Sequence, residues 1–171
     1  MNYEERRRSN TIPGKVWKYV HTEDVWIQTN IFGRPFSSEW LDISPSGRIN
    51  VKGNHDRGYA WDGCSPKYEA LDMLLGTPDG KLDYRTAKPI TYYASMIHDG
   101  LYQYKKEVPI SRQDADVIFQ QILKHSGFMW WWLYGAIVQA LGGLYGDWRV
   151  YNDTPHIEIT DCSWWKGEEE V

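Results

Sequence analysis

The amino-acid sequence predicts an α+β fold, with N-terminal antiparallel strands packed on a C-terminal group of about three helices. Three observations predict it. β-rich runs fill the first third of the chain, apolar residues recur at helical spacing in the second half, and the two kinds do not alternate. Strands first and helices after favour α+β over a doubly wound sheet. The length of 171 residues is one domain's worth, expected here as 15–165 between a flexible arm (1–14, ending at Pro13-Gly14) and an acidic tail (166–171).

The elements follow in order. Val16, Tyr19-Val20, Val25-Trp26-Ile27 and Ile31-Phe32 are β-rich and separated by polar turns. Trp40 to Ile43 and Ile49 to Val51 flank Ser44-Pro45-Ser46-Gly47, which predicts a hairpin. A loop-rich stretch from Gly53 to Pro66 holds a short extended piece at Tyr59-Ala60-Trp61. The period then changes. Pro89 is expected in the first turn of a helix whose apolar stripe is Ile90, Ala94, Ile97, Leu101 and Tyr104. A second helix starts at Ser111, with Asp114 completing a capping-box pattern, and ends at Gly127. Its apolar face is Ala115, Ile118, Phe119 and Ile122. A third, Trp-rich helix runs to about Leu141, followed by short polar and aromatic pieces from 147 onward.

Composition excludes more than it selects. The net charge of −4 and the absence of a basic stripe argue against binding duplex nucleic acid. Aromatic residues reach 15%, with 10 Trp and 12 Tyr, which suits cores and interfaces alike. Cys64 and Cys162 are too few for a metal knuckle or a disulfide framework, and two free thiols are the simpler reading. The N-terminus lacks the apolar stretch of a secretory signal. From Ser126 to Gly146 no residue is charged, which is spanning length. Its glycines, Gln139 and clustered Trp favour a core helix, or a helix through which copies of the chain associate, over a membrane span.

The residues most suited to chemistry are Asp62, His98, Asp99, Tyr102, Arg112 and Asp116. Asp62, His98 and Asp116 together could hold a divalent cation: oxygen-rich ligation suits magnesium or manganese, and His98 admits zinc or iron. Such an ion lowers the pKa of bound water and makes hydrolysis feasible near neutral pH. Asp99 would then be a partner of the ligands or a base, Tyr102 would hydrogen-bond near His98, and Arg112 would pair a substrate anion or orient Asp116. Each residue also has a plainer reading. Asp62 precedes Gly63 as turn formers do, His98 flanks an apolar helix face as a packing residue would, and Arg112 and Asp116 are spaced for an intrahelical ion pair. Cys64 and Ser65 lack a nucleophile's setting, and His55-Asp56 reads as a turn.

These residues lie in four short motifs: Gly58-Tyr59-Ala60-Trp61-Asp62-Gly63-Cys64-Ser65-Pro66, His98-Asp99-Gly100-Leu101-Tyr102, Ser111-Arg112 with Ala115-Asp116, and Leu141-Gly142-Gly143. In order and rough spacing over about 58–145 they resemble the uncharacterised phage and bacterial family called domain of unknown function 1353. The chain departs from that pattern by a long insertion between Pro66 and His98. The resemblance implies that Asp62, His98, Asp99, Arg112 and Asp116 belong together and that the source is a phage or prophage, hence the cytoplasm of a bacterial host. It supplies no reaction. A weaker resemblance is to phosphohydrolases with a His-Asp doublet on a helix, in which only His55 could supply the earlier histidine. Two expectations therefore stand side by side. One is a small metal-dependent hydrolase. The other is a non-enzymatic phage protein, a virion component or a binder of a host factor or small ligand, in which the polar cluster is a structural hydrogen-bond network.

Overall fold

A computed structural model describes residues 17–53, 58–63, 81–142, 148 and 157–164. Expectations for the arm, the tail, Cys64, Ser65 and His55-Asp56 lie outside the described residues. Seven strands precede, and in one case follow, three helices. They are β1 (Tyr19–His21), β2 (Val25–Thr29), β3 (Phe36–Ser37), β4 (Leu41–Ile43), β5 (Arg48–Val51) and β6 (Tyr59–Trp61), then α1 (Tyr92–Gln103), α2 (Arg112–His125) and α3 (Trp131–Gly142), and last β7 (Ile159–Cys162). The arrangement is α+β.

Five strands form one antiparallel sheet in the order β3-β4-β5-β2-β7, and β1 pairs with β6 in a separate ribbon. Strand side chains alternate between faces, so cross-strand register sorts residues into rows. Ile43, Ile49, Ile27 and Cys162 stand opposite one another in turn, as do Leu41, Val51 and Val25. All seven are buried and belong to the core. The alternating row carries Ser37, Asp42, Asn50 and Trp26 on the other face. The expected hairpin is β4–β5. Its turn needs Gly47, because φ is +82° there and an added Cβ would lie 2.5 Å from the Thr29 carbonyl oxygen.

The helices cover the inner face. Where α1 crosses the sheet it presents Gly100, whose absent Cβ would meet Val51 Cγ2 at 3.4 Å and Leu41 Cδ1 at 3.7 Å. The β1–β6 ribbon is locked to α1 by aromatic edges, Trp61 against Tyr92 at 4.8 Å and Tyr19 against Tyr92 at 5.1 Å. Trp61 Nε1 donates to Ser95 Oγ at 3.0 Å, so the buried indole keeps its hydrogen bond. On α2 the Ser111 hydroxyl accepts from the Asp114 amide while the Asp114 carboxylate accepts from the Ser111 amide, the capping box the sequence predicts. Gly127 follows in the left-handed region at φ +74°.

Three details differ from the sequence expectation. Ile31-Phe32 is not a strand: Ile31 is buried and Phe32 exposed in a turn where the Gly33 amide donates to the Pro45 carbonyl. Pro89 is not in the first turn of α1. It bridges to Leu82, and the helix begins at Tyr92. β3 and β7 were not expected. β3 has two residues. The β7 register shifts between Gln28 and Thr29, so its burial runs buried, exposed, exposed, buried rather than alternating. Among the described residues no helix is long and apolar enough to cross a membrane.

Candidate functional site

α1 and α2 pack side by side, and their contact contains one buried carboxylate, Asp116. Helical spacing explains its surroundings. His98 and Tyr102 are four residues apart on α1, Arg112 and Asp116 four apart on α2, so each pair shares a face. Asp116 is 0% exposed. Its Oδ1 accepts from Tyr102 Oη at 2.7 Å and from His98 Nε2 at 3.0 Å, and its Oδ2 accepts from Arg112 Nη1 at 3.1 Å. A carboxylate oxygen only accepts, so Nε2 carries the histidine hydrogen and Nδ1 lies on the side of the ring away from Asp116. Arg112 Nη1 also donates to the Gln139 carbonyl at 3.1 Å, which brings α3 into the same network.

Rings close the cluster from the sides. His98 lies 4.2 Å from the Tyr102 ring and 5.0 Å from Phe119, and Trp148 meets Tyr102 edge-on at 4.8 Å. Trp148 is itself fixed by its Nε1 donating to the Ile110 carbonyl. Burial pushes the Tyr102 hydroxyl well above its ordinary pKa, and the neighbouring Asp116 charge and hydrogen bond push it further, with Arg112 partly offsetting them. Tyr102 is therefore a hydrogen-bond donor at any physiological pH, not a base.

The six residues singled out from the sequence thus divide. The structure brings His98, Tyr102, Arg112 and Asp116 together. The partners of Asp116 are those three, and neither Asp62 nor Asp99 is among them. Asp62 is half-buried just after β6, and Asp99 is half-buried on α1. Among the described residues no three His, Cys, Asp or Glu side chains are gathered so that they could hold a metal ion. Cys162 is a buried free thiol in the sheet core, opposite Ile27.

Sequence reasoning missed Gln121. Its amide oxygen accepts from the Ile159 amide at 3.0 Å and its amide nitrogen donates to the Ile157 carbonyl, so one side chain of α2 pairs with the backbone at the outer edge of β7. Its neighbour Gln120 carries the same residue type, and nothing in the spacing separates the two. The exposed run Met129, Trp130 and Trp132, at 71%, 39% and 51%, lies where α3 starts. No protein-family model, curated protein or solved structure matches this chain.

Proposed function

We propose that this chain is a non-enzymatic binding protein of phage type, a virion component or a binder of a host factor or small ligand, in which the cluster around Asp116 is a structural network. One observation carries the reading: Asp116 is fully buried and holds three donors. A metal or substrate would have to displace one of them, and a buried donor left without an acceptor costs about 1–3 kcal/mol. The network ties α1, α2 and α3 into one body. The exposed Met129, Trp130 and Trp132 then supply a surface of the kind that forms the centre of protein interfaces, to another protein or to a second copy of the chain. The phage setting rests on the motif resemblance.

The test is metal content by elemental mass spectrometry of the purified chain after supplementation with zinc, manganese, iron and magnesium, beside His98→Ala and Asp116→Ala. The expected result is no stoichiometric metal in any of the three and lowered thermal stability in both variants. About one ion per chain, lost in both variants, would overturn it.

That outcome would favour a metal-dependent hydrolase instead, with Asp62, His98 and Asp116 as ligands and Asp99, Tyr102 and Arg112 around them. The observation on its side is that the His98 side chain keeps 15% exposure, with one ring nitrogen directed away from Asp116. Zinc, manganese, magnesium or iron at His98 would activate water there.

A further inference from the structure

The outer face of the five-stranded sheet gathers polar side chains around a concavity of about 750 Å³. Register builds it. Ser37, Asp42, Asn50 and Trp26 stand opposite one another across four neighbouring strands, and Arg48 lies two residues before Asn50 on the same face. Arg48 is exposed, and its guanidinium stacks over the Trp26 ring at 4.2 Å. That stack holds its donors over the sheet without spending them on a carboxylate. Asp24 and Asp42 line the same concavity, as do Pro35 and Phe36, which add apolar surface.

The decisive atom is Asn50 Oδ1. It is out of solvent contact, and among the described residues no donor reaches it. The Asn50 amide nitrogen is engaged, donating to Asp24 Oδ2 at 3.3 Å. An acceptor held in this way calls for a ligand that donates. Carboxylates and phosphates carry no hydrogen to give at neutral pH, and Asp24 and Asp42 repel them. A hydroxyl donates and accepts at once. It can give its hydrogen to Asn50 or Asp24 while accepting from Arg48. A ring of carbon atoms bearing several hydroxyls also offers an apolar face to Phe36 and Pro35.

We infer that this concavity is a binding site for a neutral saccharide, with Asn50 and Arg48 as its recognising groups. The inference is independent of the helix cluster and of its role, and concerns the opposite side of the sheet. The experiment is a glycan array carrying neutral and anionic oligosaccharides, probed with the full chain and with its Arg48→Ala and Asn50→Ala variants. Both substitutions are on the solvent face, and thermal melts check that the variants fold. The expected result is binding to one or more neutral glycans, weakened about tenfold or more in each variant, which corresponds to about 1.4 kcal/mol. Three results would overturn the inference: no neutral glycan bound, neutral glycans bound equally by all three proteins, or binding confined to sulfated and phosphorylated glycans.

Discussion

The helix cluster and the outer face of the sheet are both built from carboxylates, an arginine and hydrogen-bonding neighbours, yet they use them in opposite ways. At the helices the carboxylate is central, wholly buried and saturated by Tyr102, His98 and Arg112. On the sheet the carboxylates are peripheral, Arg48 leans on an aromatic ring, and an amide oxygen is left waiting. The difference teaches that residue types alone do not mark a site. What marks it is unspent hydrogen-bonding capacity facing a space. A closed network contributes rigidity, and an open one leaves chemistry for a partner.

The strongest way to break this comparison is Asp116→Ala. If the helix network is closed and structural, removing its only acceptor strands the buried Tyr102 hydroxyl and the His98 ring hydrogen. Arg112 suffers less, because its side chain is 31% exposed and water can reach it. The expected loss is about 3 kcal/mol, at the lower end for removing one partner of a buried pair. For a domain of this size that lowers the melting temperature by roughly 6–12 °C. A melt within a degree or two of the wild type would mean that the network is not holding the helices together.

That cluster was partly legible in the sequence, and the reason is helical periodicity. The spacings His98 to Tyr102 and Arg112 to Asp116 are each one turn, so each pair could be placed on a common face before any fold was known. The pairing between the helices could not, because nothing local to either segment says which face meets which. Asp62 shows the same limit, since it sits beyond a strand whose partner, β1, lies some forty residues earlier in the chain. The fold class was legible for a simpler reason, strands and helices being segregated along the chain. β7 was not, because a register shift at Gln28 and Thr29 removes the alternation that announces a strand. The sheet's outer site was invisible for a related reason. Ser37, Asp42, Asn50 and Trp26 are scattered along the sequence and meet only through cross-strand register.

His21 sharpens the comparison as an intermediate case. It is half-buried, with Nδ1 3.2 Å from the Tyr92 hydroxyl, so its network is closed on one side only. Burial lowers its pKa below the ordinary 6.5, Glu23 opposing this and Lys88 reinforcing it. A histidine depressed in the folded state is preferentially neutral there. Its contribution to stability is present above pH 6.5 and is lost as the pH falls below that value through the folded pKa. Thermal melts between pH 7 and pH 5 should therefore fall more steeply for the wild type than for His21→Gln, whose side chain does not titrate. Parallel profiles would remove His21 from the set of closed groups. His125 shifts in the same direction through burial and through Lys124 and Arg85. It is exposed, so solvent screens it, and it remains in both proteins of the comparison.

The smallest effect is expected on the open face, and its smallness is the point. Lys52 Nζ lies 2.9 Å from Asp42 Oδ1, an ion pair whose side chains are 28% and 37% exposed. Lys52 also donates to the Ser38 carbonyl, and Asp42 accepts from Ser37 Oγ at 2.6 Å. In Lys52→Ala, water replaces the ammonium beside Asp42, and the Ser37 hydroxyl still serves it. The expected change is within about 0.5–1 kcal/mol, a shift of roughly 1–4 °C in the melt. A loss comparable to that of Asp116→Ala would show that the outer face, too, is a closed network whose charges hold the strands together. Asn50 would then be one more member of a structural array, and the case for a ligand on this face would fall with it. A small loss leaves the face as the sheet's register describes it, a set of polar groups whose hydrogen-bonding capacity the fold itself does not consume.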